Sequence, residues 1–258
     1  MKISIIKTKV INFIFILFWI IIWHILSVII GEDIVLASPV SVFKRIYRLI
    51  LEPDFLITIF SSVTKVLIGF TLGGFIGVIL SIVCKKNHIF YKLFSPLITF
   101  IKVTPIACFI ILVLVWIDSN KLSILISSFM SLPLFFFNIY SGIDIVDNNI
   151  LQMCEIYKIK GINRFKYIYF HSLINIILST CTLAFSMSWK AGIASEIIGI
   201  TNASIGGKLQ SAKSLLETND VLAWTIIIIF INLVIETIIK YIINKINVHL
   251  IGVYDDKD

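Results

Sequence analysis

The sequence predicts an all-α membrane protein with six transmembrane helices, and its composition and apolar pattern both support this fold class. Of its 258 residues, 59% are hydrophobic and 14% are charged, whereas soluble domains contain about 45–50% apolar and about 25% charged residues. The mean hydropathy is +1.02. The apolar residues form long continuous runs rather than alternating with polar ones, which favours spanning helices and excludes a β-barrel.

We expect one transmembrane domain over residues 1–258, with spans near 10–30, 66–84, 93–117, 122–143, 167–189 and 221–239. Three lysines precede the first apolar run, as in the basic region of a signal peptide. That run is about twice as long as the apolar part of a signal peptide, and no small-residue cleavage site follows it. We therefore interpret it as an uncleaved first span.

The distribution of basic residues predicts that both termini face the cytoplasm. With the N-terminus inside, the inner segments hold thirteen of the 22 lysine and arginine residues and the outer segments hold six. The remaining three, Lys65, Lys102 and Lys190, lie within or beside spans. An excess of positive charge on the cytoplasmic side is the usual signature of orientation.

Two outer segments are longer than turns. Residues 38–54 place apolar side chains at helical spacing and basic side chains opposite them, which predicts an amphipathic helix on the outer surface, capped by Ser38 or Ser41. Residues 191–220 are mixed in polarity and contain four glycines. Such a segment is suited to folding partly back into the bundle.

The second span contains a stripe of glycines. Gly69, Gly73 and Gly77 recur at every fourth residue, a spacing that lets another helix approach closely. We favour packing within one subunit over a seam between two subunits.

The loop over residues 144–166 is the longest segment between spans on the cytoplasmic side. Its apolar positions suit a short helix that stops near Gly161, with a basic far side. Such a helix can dock onto a partner, or it can bind anionic lipid headgroups. The periodicity alone leaves both interpretations open.

Several classes of site are excluded. The four cysteines and four histidines are scattered without metal-ligand or disulfide spacing. The sequence has no P-loop, no nucleophile elbow and no dinucleotide fingerprint. Its net charge of +7 follows from orientation in the membrane rather than from a nucleic-acid interface. Any nucleotide energy must therefore come from another chain.

The cytoplasmic loop resembles the EAA loop of ABC importer permeases. Glu155 is followed by Gly161, as in the pattern E-A-A-x-x-x-G, with Ile156 and Tyr157 at the alanine positions. In that family the loop forms a coupling helix, which sits in a groove of the ATPase subunit. The resemblance therefore implies that the ATPase is contacted by Glu155, Ile156, Tyr157, Lys158, Gly161 and Arg164.

Three further segments look like permeases of the nitrate/sulfonate/taurine group of type I importers. They are LASPVSVFKRIYRLI, SPLITFIKVTPIACFIILVLVWID and SWKAGIASEIIGITNASIGGKLQSAKSLLETNDVLAW. Together with the loop, these make four segments that occur in the same order as in the family. They also lie at the places in the predicted topology where the family has them. The resemblance thus covers nearly the whole chain.

The resemblance implies a multi-pass subunit of the cell membrane that catalyses no reaction and holds no cofactor. It implies a permease homodimer, two ATPase subunits that bind ATP and magnesium, and an extracytoplasmic binding protein that delivers a small solute. Membrane lipid is the remaining partner. The solute would be sulfonate-, nitrate- or taurine-like, or thiamine-precursor-like.

Ionisable residues inside spans are costly and suggest function. Lys102 lies within the third predicted span beside Thr104, where it would either meet an anionic substrate or pair with an acid. Lys190 and Glu196 suit a pair that holds helices together, and Glu236 suits a similar lysine pair. The candidates for the translocation path are Lys102, Thr104, Ser188, Lys190 and Glu196.

Two other classes of membrane protein are rivals. An ATP-independent secondary transporter or channel predicts internal repeats and ion ligands at mid-membrane, and no convincing repeat is present. A membrane-embedded enzyme predicts a cluster of His, Asp or Cys at the interface, whereas the histidines are scattered.

Overall fold

A computed structural model describes residues 2–145, 152–154, 156–157 and 170–251, and every regular element among them is helical, as the sequence predicts. The helices are α1 (Lys2–Ile30), α2 (Pro39–Ile50), α3 (Phe55–Lys86), α4 (His88–Val103), α5 (Ile106–Leu114), α6 (Ser119–Gly142), α7 (Phe170–Ile198), α8 (Ile205–Ser214) and α9 (Thr218–Ile251), with a 3₁₀ turn (Ile143–Ile145) after α6.

Four of these helices are long and apolar enough to cross a membrane, namely α3, α6, α7 and α9. The pair α4 and α5 makes a fifth span if the two are counted as one. In α1, the apolar stretch Ile14–Ile30 is shorter than any of these four helices. Length and composition therefore support four or five spans among the described residues.

The predicted third span is broken in the middle. Helix α4 ends at Val103, Thr104 and Pro105 are extended, and α5 leaves at 99° to α4. Proline disfavours a helical conformation in the residue before it, and its ring removes one amide donor. The continuous helix expected near residues 93–117 is therefore two helices that meet at an angle.

The glycine stripe of α3 packs directly against α6. A Cβ atom added at Gly69 would lie 2.2 Å from the Ile124 carbonyl oxygen, and one at Gly73 would lie 2.3 Å from the Ser128 carbonyl oxygen. At Gly77 the corresponding neighbour is the Leu132 carbonyl oxygen, at 2.6 Å. The preferred interpretation of the stripe, close packing within one subunit, is confirmed.

Helix α2 is attached to the start of α9. Of the two predicted caps, Ser38 caps the helix, because its hydroxyl accepts a hydrogen bond from the Ser41 amide at 3.1 Å. Arg45 binds both carboxylate oxygens of Asp220, with Nη2 2.6 Å from Oδ2. These hydrogen bonds to Asp220 raise the pKa of the Arg45 guanidinium. The polar side of α2 thus holds this helix against α9 within the subunit.

Residues 191–220 fold back onto the bundle, as their composition allows. Helix α7 continues to Ile198, beyond the end predicted near residue 189, and α8 then packs against α7, α9 and α3. Ile205, Leu209 and Ala212 of α8 are buried. The extension of α7 brings Glu196 into the interior of the subunit.

Candidate functional site

Lys102 lies at the break between α4 and α5, where a side chain can leave the helix packing. Its side chain is exposed, and Nζ lies 5.1 Å from the centroid of the Phe137 ring. Thr104, at the break itself, donates its hydroxyl hydrogen to the Phe100 carbonyl at 2.7 Å. No acid among the described residues forms an ion pair with Lys102.

Ser188 has a different environment, between α7 and α6. Its hydroxyl donates to the Ser127 carbonyl at 2.9 Å, and the Ser127 hydroxyl donates to the Ser188 carbonyl at 3.1 Å. Both residues are fully buried. The exchange of two hydrogen bonds joins the helices at a point where Gly192 also lets them approach closely.

Lys190 and Glu196 do not form the expected pair. Lys190 is exposed, and no ion pair involves it among the described residues. Glu196 is 0% exposed. Its Oε2 accepts hydrogen bonds from the Ser62 hydroxyl at 2.7 Å and from the Gly206 amide at 3.2 Å. Glu196 therefore connects α7 to α3 and α8.

Glu236 of α9 lies in a second polar cluster. It accepts hydrogen bonds from Ser186 of α7 and from Asn232, the latter at 3.1 Å. Lys240 lies one turn later, with Nζ 3.8 Å from Glu236 Oε2. The lysine paired with this acid lies in the same helix, so the pair does not hold two helices together as expected.

The loop over residues 144–166, which resembles a coupling loop, is described only in part. Glu155, Lys158, Gly161 and Arg164 lie outside the described residues. Residues 152–154 are helical, and Cys154 is buried. Ile156 and Tyr157 are 76% and 70% exposed, so two large apolar side chains project from the loop.

The segment begins at an ion pair. Lys85, in the last turn of α3, binds Asp144 of the 3₁₀ turn, and its Nζ also lies 4.5 Å from the centroid of the Tyr140 ring. The end of α3 is thereby connected to the chain that enters this loop.

Sequence reasoning missed the partners of the candidate residues. Ser123, Ser127 and Ser131 recur at every fourth residue in α6, and all three are buried. This spacing matches that of the glycine stripe of α3, so the two patterns together could have predicted the contact between α3 and α6. Ser62 carries no such signal, because its contact with Glu196 joins residues far apart in the sequence.

The profile of the family described as "binding-protein-dependent transport system inner membrane component" matches residues 69–248. The chain is 24% identical to a nitrate import permease protein of Synechocystis sp. over 233 residues, which cover 86% of this chain and 83% of the relative. It is 20% identical over 213 residues to a putative aliphatic sulfonates transport permease protein of Bacillus subtilis, with 82% and 76% covered. A probable ABC transporter permease protein of Brucella melitensis is 24% identical over 195 residues, with 74% and 77% covered.

Proposed function

This chain belongs to the family of binding-protein-dependent transport system inner membrane components, and from that premise we propose how it works. It is the permease subunit of an ABC importer of the nitrate/sulfonate group, and it lies in the cell membrane as a multi-pass protein. Importers of this kind act with an ATPase and a binding protein.

We propose a homodimer of this chain with two ATPase subunits, six spans per chain and both termini in the cytoplasm. The ATPases bind ATP and magnesium, while the permease holds no cofactor and catalyses no reaction. The excess of basic residues in the inner segments supports this orientation. ATP-driven closure of the ATPases then switches the permease between inward- and outward-facing states.

The proposed contact with the ATPase is made by Glu155, Ile156, Tyr157, Lys158, Gly161 and Arg164. Support comes from Ile156 and Tyr157, whose exposed apolar side chains on a cytoplasmic loop suit insertion into a groove. The Lys85–Asp144 ion pair supports a route for motion from this loop to α3.

The proposed solute is a small anion, similar to the nitrate or sulfonate named for the relatives, or a thiamine precursor. The observation that carries this proposal is Lys102, an exposed ammonium at a helix break with no acid paired to it among the described residues. We propose that Lys102, Thr104 and Lys190 line the path. Ser188 and Glu196 are both buried between helices, so they would support the walls of the path and not contact the solute.

Co-purification tests the assembly. The tagged chain, extracted in mild detergent, is expected to bring an ATPase and a binding protein, which mass spectrometry identifies. Glu155→Arg combined with Gly161→Arg should release the ATPase and leave the permease folded. Lys44→Glu, a charge change on the exposed side of α2, is the matched control and should retain it.

The rival is a secondary transporter or channel. It is favoured if the wild-type chain purifies without an ATPase and still transports solute in vesicles that lack ATP. That pair of results would overturn the proposal.

A further inference from the structure

The N-terminus of α8 is held by side chains from three separate parts of the chain. The Ile205 amide donates to the Ser62 hydroxyl at 2.9 Å, the Gly206 amide to Glu196 Oε2 at 3.2 Å, and the Gly207 amide to the Ser204 hydroxyl at 3.0 Å. A helix leaves its first amides without partners inside the helix, and its own N-cap normally satisfies one of them. We call Ser62, Glu196 and Ser204 the α8 clamp.

The clamp is buried and contains a carboxylate. All three of its residues are 0% exposed. No lysine or arginine among the described residues forms an ion pair with Glu196. The carboxylate is stabilised by the Ser62 hydroxyl and by the positive end of the α8 dipole. Breaking such a buried arrangement leaves polar groups without partners.

The chain around the clamp leaves little room for adjustment. A Cβ at Gly206 would lie 2.3 Å from the Glu196 Cβ, so α8 starts in direct contact with α7. In the preceding loop, Ile200 and Ala203 have φ angles of 49° and 48°, a region that residues with a Cβ disfavour. This loop conformation therefore depends on contacts with the rest of the subunit.

We propose that Glu196 is a positioning residue, whose Oε2 fixes α8 to α3 and α7 so that the three helices move as one unit in the transport cycle. The cycle itself rests on the proposed function. Both described hydrogen bonds of the carboxylate go to Oε2, while Oε1 is buried and accepts none from the described residues; we therefore expect one acceptor oxygen to be enough for the clamp.

Variants of Glu196 distinguish the need for an acceptor oxygen from the need for a negative charge. Glu196→Gln keeps an acceptor oxygen in the place of Oε2, so the hydrogen bonds from the Ser62 hydroxyl and from the Gly206 amide should remain. Glu196→Leu removes the acceptor. Ser62→Ala removes the acceptor of the Ile205 amide and also the hydroxyl that donates to Glu196 Oε2. Ser195→Ala is the matched control, because the Ser195 hydroxyl is equally buried but donates only to Gly192 of its own helix.

Amide hydrogen exchange of the full-length permease in nanodiscs measures the clamp directly. Glu196→Leu should speed exchange at residues 205–207 about tenfold, and Ser62→Ala should speed it as well, since each variant loses two buried hydrogen bonds. Glu196→Gln and Ser195→Ala should match the wild type. Unchanged exchange in Glu196→Leu, or in Ser62→Ala if the leucine variant does not fold, would overturn the clamp.

Spin-label distances test whether the helices move together. Labels replace Leu56 of α3 and Lys213 of α8, both exposed, on a background without the native cysteines, in the complex with its ATPase. One narrow distance distribution is expected both without nucleotide and with ATP and vanadate, in the wild type and in Glu196→Gln. Glu196→Leu should broaden it.

Two results would contradict the positioning role. A wild-type distance that changes between the two nucleotide conditions would show that α8 does not move with α3. A Glu196→Gln variant as broad as Glu196→Leu would show that the charge is what matters. Hydrogen exchange needs neither ATPase nor substrate, so a complex without ATP-driven motion would count against the proposed function alone.

Discussion

Replacing Gly73 with alanine is expected to force α3 and α6 apart. The added Cβ would lie 2.1 Å from the Ser131 hydroxyl oxygen and 2.3 Å from the Ser128 carbonyl oxygen. The hydroxyl can rotate away, but the carbonyl belongs to the backbone of α6 and cannot. The two helices must therefore separate along an interface that contains the whole glycine stripe.

The size of this effect follows from two opposing contributions. Overpacking a tight contact costs about 3 kcal/mol at the upper end of its usual range, which applies because backbone atoms collide. Alanine stabilises a helix by about 1 kcal/mol relative to glycine. Gly73→Ala should therefore lower the free energy of unfolding by about 2 kcal/mol, which corresponds to a fall of about 4–8 °C in Tm for a chain of this size.

Thermal unfolding in detergent, followed by size-exclusion chromatography with fluorescence detection, measures that shift. Thr71→Ala is the control, because Thr71 is exposed on the same helix and bonds only carbonyls of its own helix. Combining Gly73→Ala with Ser131→Ala should not restore stability, since the Ser128 carbonyl remains. A Gly73→Ala variant as stable as the wild type would refute the close packing.

Two further predictions concern charged residues. Arg45→Lys should loosen α2 and speed amide exchange over residues 39–50, because an ammonium cannot reproduce the two-point contact with Asp220; exchange equal to the wild type would contradict this. Lys102→Gln should raise the KM for anion uptake about tenfold or more, the effect of losing one charged hydrogen bond, while Lys102→Arg and the control Lys92→Gln stay near wild type. An unchanged KM would remove Lys102 from the path.

Local patterns in the sequence were sufficient for some elements. The glycine spacing of α3 predicts a helix contact, since it depends on backbone approach alone. Ser38 followed by proline and an amphipathic stretch predicts the start of α2. In both cases the signal and the structure lie within a few residues of each other.

Other features depend on contacts that no local pattern contains. Pro96 and Pro133 stay inside helices, whereas Pro105 follows a break, so proline alone does not locate the bend. Lys190 and Glu196 lower the apolarity of α7 after residue 189, where the predicted span ends. The helix continues with Glu196 inside the subunit, where Ser62 and the start of α8, distant in the sequence, bind one oxygen of its carboxylate.

The central claim is that this permease imports its solute with energy from a separate ATPase. The most direct measurement is uptake of radiolabelled nitrate or taurine into proteoliposomes that contain the permease with its co-purified ATPase and binding protein, with ATP or a non-hydrolysable analogue supplied to the ATPase side. Uptake that requires ATP hydrolysis and is abolished by Glu155→Arg with Gly161→Arg is predicted. Equal uptake with ATP and with the analogue, driven only by an ion gradient, would contradict the account.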